Sequence, residues 1–401
     1  MALPKPLPLE EAQRRLCDLA SPLPAESIDA SEAVGRVLAE DLVARRTQPS
    51  ADLSAMDGYA LQENDLLGPW RVVGESAAGH PYEGAIAKGE AARISTGAMM
   101  PLSTGAILLQ ENATRDGEHL RLNGEGEATP RHIRRAGFDF AAGDVLLPAG
   151  TRIGPAQLAL AISGGHSRLS AHRLPSLAVL DSGDELSADP ANCAPHQIPA
   201  SNGPAIAALA RPWVSRLRRI GPVRDTMADM LDGLERASVA DVIVTSGGAS
   251  VGDHDLVRPA LEKWGAQIDF WRVAIKPGKP LMVARKDEKV VLGLPGNPVS
   301  SFVTAYLFLL PLLRTMAGAA TALPDAVYLR STSPLPAGSS RTEFLRGRIV
   351  DGGVAAIEEQ DSSALRALAA ADVLIRRDID APAVEPGELV PTYRIQNGGI
   401  A

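Results

Sequence analysis

The stretch VADVIVTSGGASVGDHDLVRPALEKWG, residues 239–265, decides the fold. Its opening run, crowded with valine and isoleucine, reads as a buried strand. Its closing ten residues read as a helix that stops at a glycine. The same alternation recurs on both sides. SLAVLD (176–181) and KVVLGL (289–294) have strand length and composition, and IGPV (220–223) is a weaker strand signal. TMADMLDGLERA (226–237) is helical, and another helix runs from Pro298 to about Met316. Ser201 is placed to cap a helix through GPAIAALARPWVSRLRR (203–219), which Pro212 should kink or split. Strands alternating with helices of this length predict an α/β layer over residues 176–318, with a doubly wound, mostly parallel sheet covered on both faces.

Outward from this layer the texture changes. Residues 8–20 read as a short amphipathic helix, and Ser31 to Leu38 as another. From about Thr47 to Gly143 glycines and turns are dense and the apolar runs are short (WRVVGE, AARIST, GAILLQ), which predicts a small β-rich domain. LPAGTRIGPAQLALAISGG (147–165) reads as a turn and a helix, with Pro155 in its first turn. Beyond Gly318 a Pro/Ser/Gly-rich passage leads into short strands, a C-terminal β domain.

The totals bound the function. The 401 residues suggest about two to four domains. A net charge of −8 argues against bulk nucleic-acid binding, which needs a basic face, but leaves room for a small anion held by a local lysine cluster. Two cysteines, Cys17 and Cys193, allow neither a disulfide framework nor a zinc knuckle. The first residues show no apolar signal region. SFVTAYLFLLPLL (301–313) is short for a bilayer and reads as a buried helix, so the expectation is a cytoplasmic protein without a membrane span. Neither a Ser/His/Asp spacing nor H-E-x-x-H is visible.

In an open α/β sheet ligands bind beyond the carboxyl ends of the strands. Four such ends carry loops of glycine, serine and carboxylate. SGDEL brings Asp184 and Glu185, RD brings Asp225, SGGASVGDHD follows the third strand, and PGNP follows the fourth. Gly247, Gly248 and Gly252 clear side chains away, so backbone amides can meet an anion such as phosphate. Carboxylates beside phosphate need a cation between them, and hard oxygen ligands point to Mg²⁺. Asp253 and Asp255 are therefore candidate metal or catalytic carboxylates, although the stretch reads equally as a turn before a helix start. Asn297 and Pro298 fit an N-cap and first helical turn, whose amides would make an anion site on the same rim. KPGKP (276–280) holds two lysines round a stiff turn, and an anion nearby would relieve their repulsion. RHIRRAGFD (131–139) reads as a solvated basic face.

SAMDGYA (54–60), RISTGA (93–98), SGDEL, TSGGASVGDHD, KPGKP, LPGNP and RTEFLRG (341–347) occur in this order across nearly the whole chain. Together they resemble the molybdopterin molybdenumtransferase family. The resemblance implies an elongated homodimer whose subunit has an N-terminal linking domain in two segments (1–45 and 146–175). A β-rich domain (46–145) separates these, and an α/β molybdopterin-binding domain (176–318) and a C-terminal β domain (319–401) follow. It implies insertion of molybdate into adenylylated molybdopterin, with Mg²⁺-dependent release of AMP. The cleft would lie between the central domain of one subunit and the β-rich domain of its partner.

By that likeness Asp57, Glu185, Asp225, Asp255, Lys276 and Lys279 are catalytic, with Asp225, Asp253 and Asp255 toward the metal. Substrate would contact Thr96, Ser246, Gly247, Gly248, Ser250, Gly252, Pro295, Gly296, Asn297, Pro298, Ser300 and Arg341. Lys276 or Lys279, Ser300 and Arg341 would hold molybdate. Partners would extend to molybdopterin adenylyltransferase and molybdoenzyme chaperones. Three departures stand out: Ser182 where the family has threonine, Pro212 inside a helix, and QDSSAL (360–365), to which no role is assigned. The alternatives are a molybdopterin adenylyltransferase or a non-catalytic scaffold of the same architecture. One consequence is geometric: Asp184, Asp255, Lys279 and Asn297 should meet at a single crevice.

Overall fold

The computed structural model describes residues 5–247 and 256–395, apart from the side chain of Trp271. Its central layer runs β1 (Ser176–Ser182), α1 (Asn202–Ala210), β2 (Arg216–Val223), α2 (Met227–Ala237), β3 (Val242–Ser246), α3 (Val257–Trp264), β4 (Gln267–Trp271), β5 (Met282–Lys286), β6 (Lys289–Leu294) and a long helix α4 (Pro298–Met316). The sheet order is β2-β1-β3-β6-β5-β4. The first four of these strands are mutually parallel, and β5 and β4 close the edge antiparallel. Both faces are covered. One apolar cluster joins β1, β3 and β6 to α1 and α4, and a second joins the other face to α2 and α3.

Three local expectations differ. The helix predicted across 203–219 ends at Ala210; Arg211–Trp213 is a single 3₁₀ turn, and RLRR belongs to β2. Pro212 lacks the amide a continuing helix would need, so the chain turns there into the sheet. The Ser201 side chain makes no cap hydrogen bond. Ser31 to Leu38 is not a helix either. Only Ala30–Glu32 forms a 3₁₀ turn, because Gly35 takes φ +87° and the chain then runs extended, with Val37 bridging to Arg152 and Leu38 to Ala171.

The remaining sheets are separate. The β-rich region has a six-stranded sheet in the order Ala106–Leu109, Gly58–Leu61, Glu90–Ile94, Trp70–Ser76, His119–Leu122 and Ala113–Asp116. Ala25–Asp29 pairs with Arg168–His172, so two segments far apart in sequence form one linking module. In the C-terminal sheet Thr342–Val350, Val373–Arg377, Leu389–Arg394 and Val327–Arg330 lie side by side. That sheet also recruits Ile275–Lys276 from the central domain, parallel to Thr342–Glu343.

Helix α4 ties these parts together. It is 19 residues long and apolar enough to cross a bilayer, longer than the apolar run picked out in the sequence, but 89% of an 18-residue window of it is buried inside the protein. Pro311 has no amide to give the Leu307 carbonyl four residues earlier. The chain adapts by a π segment, Ala305–Leu309, in which the Leu310 amide reaches back to Ala305. The Leu307 carbonyl is instead satisfied by Gln13 Nε2 at 2.9 Å, from the buried face of the N-terminal helix Leu9–Asp18. A sequence-local defect thus docks a distant helix.

Replacing Gln13 with alanine should cost about 1–3 kcal/mol, the penalty for a buried carbonyl without a donor. Adding Pro311→Ala to that variant should recover part of the loss by restoring a backbone donor. Chemical denaturation of the four proteins in a double-mutant cycle checks this, and additive losses would refute the repair.

Candidate functional site

The strand register places the candidate loops at one level. Asp181 lies beside Ser246 and Ser246 beside Leu294, while Ser182 pairs with Val223. All four parallel strands therefore end on the same rim. β5 runs antiparallel with Met282 beside Gly293, so the KPGKP loop preceding it opens on that rim too. Asp184, Lys279 and Asn297 share this edge of the sheet. Gly248, Ser250, Gly252, Asp253 and Asp255 lie outside the described residues.

Glycine lets the loops close on one another. Gly247 has φ +98°, and a Cβ there would fall 2.8 Å from the Ser182 carbonyl oxygen. Gly296 lies against Gly247. Asp184 and Asp225, both exposed, exchange backbone-to-carboxylate hydrogen bonds at 3.3 Å each, so the loops after β1 and β2 are latched. Among the described residues no three His, Cys, Asp or Glu side chains form a metal cluster. The Asp184–Asp225 pair still offers hard carboxylate oxygens to solvent, a donor set that suits Mg²⁺ with water and phosphate completing its shell.

A cleft of about 520 Å³ opens at this rim, walled by Glu185, Ser246, Gly247, Gly296, Asn297 and Pro298, with Ile198 and Pro199 opposite. Pro295 is buried just behind it. Asn297 was expected to cap α4; its Nδ2 donates to Ser362 Oγ at 2.8 Å instead. The Val299 amide is taken by the Ser362 carbonyl, so one amide of the predicted anion site is already committed. Asn202 Nδ2 holds the Gly296 carbonyl at 2.7 Å.

Asp181 was not anticipated. It ends β1, is 3% exposed, and lines the cleft with Oδ1 unpartnered. Burial pushes its carboxyl up to about 6, against the pull of Arg219 at 4.0 Å and the Gly203 amide. Ser201, Ser363 and Leu365 also line the cleft, although QDSSAL carried no assignment. The available signal was an acidic residue closing an otherwise apolar strand. The loop at 360–365 reaches the site only through tertiary contact.

The two lysines separate. Lys276 pairs with Glu343 at 3.1 Å, and Glu343 also accepts from Ser339 Oγ. The anticipated mutual repulsion at the turn is thus met by a protein carboxylate. Lys279 makes no ion pair among the described residues. Gly278, at φ +106°, packs where a Cβ would fall 2.5 Å from Thr304, setting the loop against the first turns of α4 and the buried Ser300. Arg341 precedes the Thr342–Glu343 segment paired with Ile275–Lys276, which brings it beside KPGKP.

Asp57 and Thr96 meet each other. The Thr96 amide and hydroxyl donate to Asp57 Oδ1 at 2.6 and 3.0 Å, holding its carboxyl below the usual range. Among the described residues no hydrogen bond joins residues 47–143 to 176–318, so within one chain this pair is not tied to the central cleft.

Comparison with known proteins adds an independent finding. Residues 7–165 match the MoeA N-terminal region (domain I and II), residues 178–315 the probable molybdopterin binding domain, and residues 328–395 the MoeA C-terminal region (domain IV). The chain is 35% identical to a molybdopterin molybdenumtransferase of Haemophilus influenzae, over 85% of each chain. It is 33% identical to one from Nostoc sp., covering 82% of this chain and 78% of that protein. A molybdopterin biosynthesis MoeA protein from Pyrococcus horikoshii OT3 superposes with a TM-score of 0.83 at 26% identity, over 97% of this chain and 100% of the other.

The buried Asp181 makes stability depend on pH. A carboxyl whose folded pKa exceeds its unfolded value favours the fold when protonated. That contribution is complete below about 3.8 and lost as pH rises through about 6. Asp181→Asn should flatten this dependence and stabilise the protein at pH 7.5 by on the order of 1–3 kcal/mol. Thermal unfolding between pH 4.5 and 7.5 checks it; identical pH profiles for the two proteins would sink it.

Proposed function

This chain belongs to the molybdopterin molybdenumtransferase family and inserts molybdenum into molybdopterin, with molybdopterin and molybdate as substrates; within that activity we propose an adenylylated acceptor, Mg²⁺ dependence and a site shared between two subunits. The observation that carries the reading is that the loops after β1, β2, β3 and β6 and KPGKP all open on one rim; those after β1, β3 and β6 wall a cleft of about 520 Å³, whereas Asp184, Asp225, Lys276 and Lys279 lie on the rim outside its lining.

In the proposed mechanism the acceptor's phosphate lies against the amides at Gly296–Asn297, beside Ser246 and Gly247, whose own amide is taken by the Leu294 carbonyl. Lys279, which makes no ion pair among the described residues, faces the charge that grows on the departing AMP phosphate. Lys276 is held by Glu343 and orients the turn. Ser300 and Arg341, both against that turn, help seat molybdate. Asp225, with Asp184 latched to it and Asp253 and Asp255 on the adjoining loop, would hold Mg²⁺. Bound there, the ion supplies charge neutralisation between carboxylate and phosphate. Glu185 contributes to the cleft wall, and Asp57, kept ionised by Thr96, reaches the cleft from the partner subunit. Partner contacts with the adenylyltransferase and with molybdoenzyme chaperones, and a cytoplasmic setting, complete the proposal.

AMP release on mixing adenylylated molybdopterin, molybdate and Mg²⁺ tests the reaction. Asp225→Asn should lower kcat by about 100-fold with the fold intact, the scale of losing one preorganised electrostatic group at a transition state. ATP consumption without AMP release on adding molybdate would favour the adenylyltransferase alternative. Subunit mixing tests the sharing. Asp57→Asn and Asp225→Asn chains, each inactive alone, should regain about a quarter of wild-type activity when mixed, because each mixed dimer carries one intact site. No recovery in verified mixed dimers would place each site within a single chain.

A further inference from the structure

A second cavity, of about 460 Å³, lies where the linking module, the central layer and the C-terminal sheet meet. Its walls bring together Arg152, Arg314 and Arg394, with Thr151 and Thr321 hydroxyls, the Tyr306 ring and Asp325. Arg314 sits in the last turn of α4, whose first turn flanks the catalytic cleft. Sixteen residues at 1.5 Å per residue separate the two sites by about 24 Å.

The charge here is not balanced by the protein. Arg314 is 7% exposed, and its Nε has no hydrogen-bond partner. Its Nη1 reaches only the Ala322 carbonyl, at 3.3 Å. Arg152 is half-buried and makes only long bonds, to the Gly35 and Pro212 carbonyls at 3.4 and 3.3 Å. Among the described residues neither of these guanidiniums, nor that of Arg394, forms an ion pair. The guanidiniums of Arg152 and Arg314 therefore stand together at a cavity whose wall also includes Arg394 and one acidic residue, the exposed Asp325. Arg152 and Arg314 also both lie over the Trp213 ring, 4.2 and 5.2 Å from its centroid. The indole fixes the two like charges close together, and its own Nε1, buried, is unpartnered as well. Burial pushes the Arg314 guanidinium below its usual range; repulsion from Arg152 adds to this, and attraction from Tyr306 and Asp325 opposes it without cancelling it.

A structure that gathers like charges against one aromatic ring, leaves buried donors unused and keeps a cavity open beside them is organised for an anion. Planar guanidiniums match the edges of a tetrahedral oxyanion. The volume falls within the range of small-molecule sites, about 300–1,000 Å³. We infer that this junction cavity binds a multiply charged tetrahedral oxyanion, free or as a phosphate monoester, at a site separate from the catalytic cleft.

Calorimetric titration of the full-length protein with inorganic phosphate, at ionic strength held constant with chloride, tests the inference. Wild type should bind one phosphate per chain saturably. Arg314→Gln should weaken binding by about tenfold or more, the scale of one charge-assisted bond. Arg394→Gln changes only an exposed wall residue and should weaken binding even if the buried variant misfolds. Lys279→Ala should leave the Arg314-dependent binding in place. A parallel titration with AMP separates the sources: tighter binding than phosphate, lost in the same variants, identifies an ester, and weaker binding identifies the free oxyanion. Absence of saturable binding, binding unchanged in a folded Arg314→Gln and in Arg394→Gln, or binding lost only in Lys279→Ala would overturn it.

Discussion

The parallel hydrogen-bond register of β2, β1, β3 and β6 is the constraint on which the rest depends. Parallel pairing needs a crossover between strands, and right-handed crossovers through helices return each strand in the same direction. Every carboxyl end then emerges on one side. With Asp181 level with Ser246 and Ser246 level with Leu294, loops separated by more than a hundred residues in sequence become neighbours. A slip of one residue along β3 would exchange the side chains packed under its two covered faces and move the loop that begins at Gly247 out of line. The apolar core under the sheet and the polar rim above it are thus specified by the same hydrogen bonds.

Helix α4 extends that constraint beyond the sheet. Its first turn is held by Ser362 from the C-terminal domain and its middle by Gln13 from the N-terminal helix. Its last turn presents Arg314 to the three-way junction. Because 89% of an 18-residue window of it is buried, it cannot shift without breaking contacts on every side. The strand segment Ile275–Lys276 adds a second link, by pairing with Thr342–Glu343 of the next domain. The lysine turn is consequently tied on both flanks, which the role proposed for Lys279 requires.

Much of the central layer could be read from residues alone, because buried parallel strands are unbroken apolar runs and their helices carry capping and stop signals. SLAVLD, VADVIVT and KVVLGL all appear as strands in place. The errors fall where local preference was overruled. RLRR is polar and scans as helix, yet it lies at the sheet edge in β2, where its side chains remain largely exposed. Asn297 has the chemistry of a cap but was claimed by Ser362, a partner 65 residues away that no local pattern reveals. Asp181 looked like the end of an apolar run, and only the packing of Gly203 against it shows how little solvent it retains. The rim loops were legible as a set because glycine and carboxylate recur at strand ends. The pairing of Lys276 with Glu343, which distinguishes two lysines identical in local context, was not.

That distinction bears on how the cleft can hold an anion at all. Asp184, Glu185 and Asp225 are exposed on one side of the rim, and the buried Asp181 sits beneath them. Lys276 is already neutralised by Glu343, which leaves Lys279 as the lysine of this turn without a carboxylate partner among the described residues. A phosphate placed against these carboxylates would meet net repulsion, and hydrogen bonds from loop amides offset only part of it. The proposed Mg²⁺ would relieve that repulsion, and the latched Asp184–Asp225 pair offers carboxylate oxygens to hold it. Keeping Asp181 protonated would remove one negative charge from the same floor. On the proposed reading, Mg²⁺ is what would reconcile a carboxylate-rich rim with anionic substrates.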